Sequence, residues 1–509
     1  MTPDIAGSPV GIRRFLILLC VSIPSFMLNL DSNIVAVSLH SIAQSLHADF
    51  YGVEWVISAY LLTFASLVMP AGALADRYGR KRILLIGLGL FTAASLACGA
   101  ASSVVMLNWA RAIQGVGAAL QLSAALATLS HVFRGPARAK AFAFWGAVIG
   151  IAVAVGPVAG GFITETFGWE WAFYINIPIG IVMMLITWRV LDESRDPLAN
   201  RVDIPGVVLF AGALCLLTLA LISGNRSGWR DLTVLSELAA STVLFAAFLV
   251  AESVQERPML DLRFFSKPTY IGANIAALAF AATLLTMLTY LPIYFQSALG
   301  YGPHTAGLLM LPMAIPLFVV PRVVASYFTH TMSGRALLTI GLVAVAVGLG
   351  WTAVAAPTAE YSKMLGGMIV AGIGAGVLNG EVAKVGMTVI PAERAGMASG
   401  VAGTLRMSGV VVGFALLGAI LVARISERVN ALLPRVPPDL RTQFITNIVA
   451  GKFIAITLPG MTGATSSRLA LKAFSSGYQA IFLSAAAAAA ISALLAWCFV
   501  RYEETKPTI

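Results

Sequence analysis

The sequence predicts an all-α polytopic membrane protein with fourteen transmembrane helices, arranged as two six-helix bundles with a two-helix insertion between them. Three observations carry this. Of 509 residues, 59% are hydrophobic and 11% charged, and the mean hydropathy is +0.87, far outside the range of a soluble domain. Apolar runs of about twenty residues recur along nearly the whole chain, each long enough to cross a hydrocarbon core of roughly 30 Å. The chain also repeats itself at an offset of 255 residues: "GPARAKAF" aligns with "IPAERAGM", pairing Pro136 and Ala137 with Pro391 and Ala392, and Gly79 and Arg80 pair with Gly334 and Arg335.

The predicted spans fall at 14–38, 53–74, 83–101, 105–130, 141–163, 171–190, 204–222, 235–252, 270–296, 304–327, 336–355, 363–385, 397–422 and 477–500. Under the repeat, spans one to six map onto nine to fourteen. This gives an N-terminal bundle at 1–190, a linker with the two inserted spans at 191–268, and a C-terminal bundle at 269–509 with a long periplasmic loop at about 423–476. Arg13 and Arg14 precede a first run of about 25 residues, too long for a signal peptide and without a small-residue cleavage site, so it is expected to be retained. The net charge of +10 is scattered through connecting loops rather than gathered on a soluble face, which argues against nucleic acid. Basic residues follow spans two (Arg77, Arg80, Lys81, Arg82), four (Arg134, Arg138, Lys140), six (Arg189, Arg195, Arg201) and eight (Arg257, Arg263, Lys267), while the loops after spans one, three, five and nine have none. The positive-inside rule then makes both termini cytoplasmic. Cys20, Cys98, Cys215 and Cys498 lie in spans without paired spacing, so neither disulfides nor a zinc site is expected. With no nucleotide-binding loop, histidine cluster or nucleophile elbow, no cofactor and no enzyme activity are expected.

The polar residues inside the spans are the candidate functional groups, since ionisable side chains within a bilayer are costly and face a cavity or a partner. In span one, "SFMLNLDSNIVAVSL" places Asp31 near mid-depth, with Asn29, Ser32 and Asn33 as polar neighbours. A carboxylic acid in a poorly solvated cavity favours its neutral form and can load and release protons. Two further acids compete: Glu54, at the outer edge of span two, where solvent exposure is expected, and Glu381 in span twelve, where Lys384 at i+3 can form a local ion pair. Span four, "RAIQGVGAAL", sets Arg111, Gln114, Ala118 and Gln121 on one face. Span five, "GAVIGIAVAVGPVAGG", carries Gly146, Gly150, Gly156 and Gly160 at four-residue spacings that permit close helix approach, with Pro157 adding a kink. In span nine, Asn274, Tyr290, Tyr294 and Gln296 are candidates to line a cavity, and His40 at the outer end of span one reads as a solvated surface histidine.

Between spans two and three, "GALADRYGRKR" holds five charges in seven positions, and Gly72, Asp76, Arg77, Gly79, Arg80 and Lys81 fit G-x-x-x-D-R-x-G-R-K. This loop resembles the signature loop of the major facilitator superfamily. The resemblance implies that fold, and implies that Asp76 and its basic neighbours link the two halves on the cytoplasmic side as a conformational latch. The repeat copy keeps Gly334 and Arg335 but has Thr331 in place of Asp76. Arg111, Gln114, Gly115 and Gly117 resemble the superfamily's fourth-helix motif, whose arginine is associated with proton transfer in exporters. The span-five glycines with Pro157 resemble its antiporter motif, found in exporters. "WEWAFYINIPIG" in span six and the sequence around Arg406 resemble the fourteen-span drug:proton antiporters, with Glu170 standing where a basic residue is commoner.

The resemblance implies a multidrug-efflux transporter of the bacterial inner membrane that works as a monomer. It would exchange a hydrophobic, in part cationic, small-molecule substrate for protons by alternating access, with Asp31 as the first candidate for the proton or the substrate's charge, facing the cavity shared by the halves. The alternatives are an exporter dedicated to one metabolite or antibiotic and a non-transporting receptor.

Overall fold

In a bilayer every backbone N–H and C=O must be satisfied within its own segment, which leaves helices as the spanning structure for apolar runs of this length. The computed structural model describes residues 10–133, 136–195, 203–255, 262–390, 395–451, 453 and 462–506. The expected Arg134, Arg201, Arg257 and the repeat pair Pro391–Ala392 lie outside them. Fourteen helices among the described residues are long and apolar enough to cross a membrane. Spans one to four are Val10–Ser45, Phe50–Tyr78, Arg80–Gly99 and Val104–Val132. Span five is Pro136–Phe167, and span six runs as a short turn Trp171–Tyr174 and then Asn176–Val190. The two inserted runs form helices Ile204–Ser227 and Leu232–Val254.

In the second half, span nine is broken by a π-helical turn, Ala281–Leu285, between Pro268–Phe280 and Thr286–Ser297. Span ten comprises Pro303–Leu309 and Leu311–Val323, with a further π turn at Val324–Phe328 just after Pro321. Spans eleven to fourteen are Gly334–Ala355, Tyr361–Met387, Ala395–Leu432 and Gly463–Phe499. An aspartate side chain caps the start of three helices: Asp49 accepts from Gly52 N at 2.8 Å, Asp203 from Gly206 N at 2.8 Å and Asp231 from Thr233 N at 2.8 Å.

One expectation is overturned. The segment 423–476, read as a long loop, is mostly helix. Span thirteen continues to Leu432, a separate helix covers Pro438–Val449, and span fourteen begins at Gly463. The short helix buries Phe444, Ile448 and Val449 on one face, spaced i, i+4, i+5, which is an amphipathic pattern too short and too polar to register as a span.

In the first half, span four packs against spans two and three, span one against span five, and span three against span six. In the second, span eleven packs against twelve and fourteen, ten against twelve, and thirteen against fourteen. The inserted helices pack on each other, and span seven also lies against spans two and thirteen, where Leu214 meets Leu62 and Ala65, and Leu221 and Ile222 meet Ala415. Span eight turns Leu232, Val243, Val250 and Val254 outward, an apolar surface suited to lipid.

An even number of spans puts the start of span one and the end of span fourteen on one face, the terminal face. The two halves meet on the opposite one. Between described residues of the two halves, three hydrogen bonds join them, all at that opposite face: Gln296 Nε2 donates to Val37 O at 2.9 Å, His304 N to Glu165 Oε2 at 2.9 Å, and Ser297 Oγ lies 3.3 Å from His40 Nδ1. The backbones themselves touch there. A Cβ on Gly161 would lie 2.3 Å from Pro303 O, and one on Gly307 2.1 Å from Pro157 O. Nearer the terminal face, Gly146 in span five and Gly403 in span thirteen have open space where a Cβ would be.

Candidate functional site

Asp31 is fully buried inside the first half. The polar residues beside it do not serve it: Asn29 donates to Ser25 O at 2.8 Å, Ser32 to Leu28 O at 3.1 Å and Asn33 to Asn29 O at 2.7 Å, each closing back on its own helix. Its partners come from other spans. Arg111 Nη1 donates to Asp31 Oδ2 at 2.7 Å, while Gln114 Nε2 and Asn176 Nδ2 donate to Oδ1 at 2.9 and 2.8 Å. The expectation that Asp31 faces the cavity shared by the halves is therefore corrected in this conformation: its carboxylate is enclosed by spans four and six.

Arg111 is as buried as its partner, at 1% exposure. Its Nε also donates to Val56 O at 3.0 Å and its Nη1 to Gln114 Oε1 at 2.6 Å, and its guanidinium lies 4.1 Å from the centre of the Tyr60 ring. Gln114 completes the set by donating to Ser95 Oγ at 2.9 Å. One ion pair thus ties spans one, two, three, four and six together through side-chain hydrogen bonds, with both charges matched and both carboxylate oxygens of Asp31 accepting. A buried pair satisfied this fully is tolerated, whereas removing either partner strands a charge in a low-dielectric interior.

The matches to known proteins fall on this architecture. The profile of the Major Facilitator Superfamily matches residues 21–414. The chain belongs to the major facilitator superfamily. Its relatives there include the multidrug resistance protein Stp of Mycobacterium tuberculosis, 34% identical over 84% of this chain and 79% of that one. The tetracenomycin C resistance and export protein of Streptomyces glaucescens is 30% identical over 94% of this chain and 90% of that one. The methylenomycin A resistance protein of Streptomyces coelicolor is 35% identical over 78% and 83%. These relatives agree with the drug-efflux branch that the motifs resemble. Among solved structures, a bacterial homologue of the human lysosomal transporter Spinster, in an inward-facing and occupied conformation, superposes with a TM-score of 0.67 at 15% identity, covering 98% of this chain and 99% of that one. At that identity the likeness is one of fold.

The superfamily's signature loop keeps to its own half in this conformation. Arg80 binds Asp76 through Nη2 and Nε, at 2.7 and 3.0 Å to Oδ1. Glu193, after span six, accepts from Lys81 N and Arg82 N at 3.1 and 3.2 Å, and Lys81 Nζ donates to Trp188 O at 2.6 Å. Gly79 holds φ at +114°, and a Cβ there would collide with the Glu193 carboxylate. The expected link from Asp76 and its neighbours to the other half is thus absent among the described residues: Arg77 is exposed, and Gly72 has open space where a Cβ would lie. Glu193 is a member of this cluster that sequence reading missed.

The span-five glycines do two jobs. A Cβ on Gly156 would lie 2.5 Å from Asn33 Cβ and one on Gly160 2.8 Å from Ile34 Cα, so these two seat span one, while one on Gly150 would lie 2.7 Å from the Phe318 ring of span ten. Pro157 carries the carbonyl that Gly307 approaches. The remaining candidates are internal supports. Gln121 is buried and donates to Gly87 O at 3.2 Å, tying span four to span three. Asn274 donates to Tyr270 O at 3.0 Å, beside a small cavity enclosed by the second half. Tyr290 and Tyr294 are fully buried, donating to Phe414 O at 2.8 Å and Ala356 O at 2.5 Å within an aromatic cluster with Tyr478 and Phe474, so they do not line an open cavity here.

Glu381 forms its local ion pair with Lys384 at 3.5 Å, near the terminal face. Two outer-edge expectations are corrected. Glu54 is not solvated but buried at 1% exposure, and His40 is half-buried, with Gln44 Nε2 2.8 Å from its Nε2. Asn176, the third partner of Asp31, was missed; an asparagine in the otherwise apolar "FYINIPIG" was the available signal.

Proposed function

We propose that this protein exports hydrophobic, in part cationic, drugs or toxic compounds across the bacterial inner membrane in exchange for protons, by alternating access. The observation that carries this reading is the Asp31–Arg111 pair, a matched charge sealed at 0% and 1% exposure inside a helical bundle of an efflux-type chain. The names of the relatives support the substrate class. The terminal face is taken as cytoplasmic because Arg77, Lys81 and Arg82 lie on it. With the halves joined on the opposite, periplasmic side, this conformation is inward-open, and a substrate enters the space between the halves from the cytoplasm.

Coupling runs through the helices rather than through competition at one carboxylate, because a substrate between the halves does not reach Asp31 here. A proton on Asp31 cancels its charge and leaves the Arg111 guanidinium buried without a counter-charge. Spans one, four and six, which that pair holds, then relax into the other conformation, where Arg111 finds new acceptors. Gln114 and Asn176 position the carboxylate. The glycines at 150, 156 and 160 let span five move on its neighbours, and Asp76 with Arg77 and Lys81 engages the other half when the cytoplasmic face closes. Glu381 is a secondary acid held by Lys384. Both halves lie in one chain, so a monomer suffices.

In energised inverted membrane vesicles, drug accumulation should collapse when an ionophore dissipates the proton gradient, and adding drug to vesicles with a standing gradient should release protons from the lumen. Accumulation that persists without a gradient contradicts the reading. A second reading, an exporter of one antibiotic, is favoured by the relative named for tetracenomycin C alone, which matches 94% of this chain. Transport of a single member of a panel of cations, neutral drugs and acids would decide for it.

A further inference from the structure

Glu54 is the acid this mechanism leaves unused. It stands one turn into span two on the face opposite the termini, at 1% exposure, and neither carboxyl oxygen has a hydrogen-bond partner among the described residues. It sits in the seam between the halves. A Cβ on Gly418 of span thirteen would lie 2.7 Å from Glu54 Oε1 and 2.9 Å from the Tyr290 hydroxyl, so the missing side chain at 418 leaves the room the carboxyl fills. A cavity beside it is lined by Leu39, His40, Asp49, Ile293, Phe414 and Val449, drawn from span one, the cap of span two, spans nine and thirteen, and the helix Pro438–Val449.

The titratable groups around it are His40 from span one, Asp49 at the start of its own helix, and Tyr290 from span nine, with Tyr478 of span fourteen behind, its ring centre 6.2 Å from that of Tyr290. Spans thirteen and seven and the helix Pro438–Val449 bring only apolar side chains or glycine to it, and no Lys or Arg among the described residues lines the cavity. None of these groups neutralises it. Asp49 is bound to Gly52 N, His40 faces Gln44 and Ser297, and the Tyr290 hydroxyl donates to Phe414 O. An ionised carboxylate so placed would be buried, unpaired and without a donor, which is far more costly than the neutral acid.

We propose that Glu54 is a proton-binding site built into the seam: it takes a proton from the face opposite the termini as the halves close there, and releases it when they part and water reaches it. This goes beyond the efflux reading and rests only on the geometry of the seam. The closed seam binds one more proton than the open one, so low pH favours closure. Above the ordinary glutamate value of about 4.3, while the closed state still holds its proton, the closed-to-open ratio falls about tenfold for each pH unit of rise.

The test uses the full-length protein in nanodiscs, without drug or gradient, with spin labels at Ser45→Cys and Thr358→Cys across the seam in a cysteine-free background. The closed-to-open ratio is read against pH. Glu54→Gln should flatten the dependence by about tenfold per pH unit relative to the parent and stay closed at neutral pH, whereas Glu54→Asp should keep the slope. Equal slopes in the parent and Glu54→Gln overturn the proposal. Independently of how any variant folds, the parent at neutral pH should show the infrared carbonyl band of a buried protonated carboxylic acid, and its absence also overturns the proposal. Because no substrate is present, failure here leaves the efflux reading standing, and failure of that reading leaves this one standing.

Discussion

Arg111→Ala should destabilise the protein by about 3–5 kcal/mol, because it strands the Asp31 carboxylate at zero exposure with only two neutral amide donors. For a half of this size, that corresponds to a fall of roughly ten degrees or more in the thermal midpoint of the detergent-solubilised protein. Asp31→Ala should be similarly damaging, since the guanidinium is then left with the Val56 carbonyl, Gln114 and the Tyr60 ring. The double variant should cost clearly less than the two single losses added together, because neither charge then remains unmatched. Additive losses would mean that the two side chains do not act as a pair. The same cycle with Gln114→Ala should show smaller coupling, since hydrogen bonds to a charged group contribute only about 1.5–3 kcal/mol.

The second large effect is expected at the opposite face. Gly307→Val would drive side-chain atoms into the Pro157 carbonyl, and Gly161→Val into the Pro303 carbonyl, at the place where spans five and ten bring their backbones together. Backbone cannot move aside as a flexible side chain can. Overpacking of this kind costs about 1–3 kcal/mol, and because it is felt only when the seam is closed, it should shift the population about ten- to hundredfold toward the opposite conformation. The protein should still fold and reach the membrane but lose transport, with cross-seam label distances lengthened. Gly146→Ala, also in span five but with open space where its Cβ would lie, should leave the cross-seam distances unchanged. An unchanged distance distribution in Gly307→Val would remove the seam from the conformational cycle.

The fold was legible because the bilayer leaves few choices. An apolar run of sufficient length becomes a helix whatever its neighbours, and the two inserted runs declared themselves by length alone. Asp31 and Arg111 were legible as individuals for the same reason, a charge in hydrocarbon being anomalous. That they are partners was not, since they stand 80 residues apart and meet only through the packing of spans one and four. What sequence reading misjudged depends on tertiary cover. Glu54 lies at the start of its span, a position that suggests water, yet Gly418, Phe414 and the helix Pro438–Val449 close over it. That helix was itself missed because its twelve residues carry an amphipathic pattern beneath the length of a span. Tyr290 and Tyr294 were one turn apart and equally suited to a cavity or a core. Their full burial and the hydrogen bonds to Phe414 O and Ala356 O decide for the core.

The central claim is that protonation of Asp31 couples the proton gradient to export, and Asp31→Asn in proteoliposomes tests it most directly. Asparagine keeps the size of the side chain and one acceptor oxygen but removes both the charge and the exchangeable proton. Drug exchange without a gradient and uphill drug accumulation driven by an imposed pH difference should be measured on the same preparation. The account predicts that Asp31→Asn still exchanges drug across the membrane but no longer accumulates it against a gradient, with drug-induced proton movement lost. Uphill accumulation by Asp31→Asn at the parent rate, with proton movement intact, would contradict it.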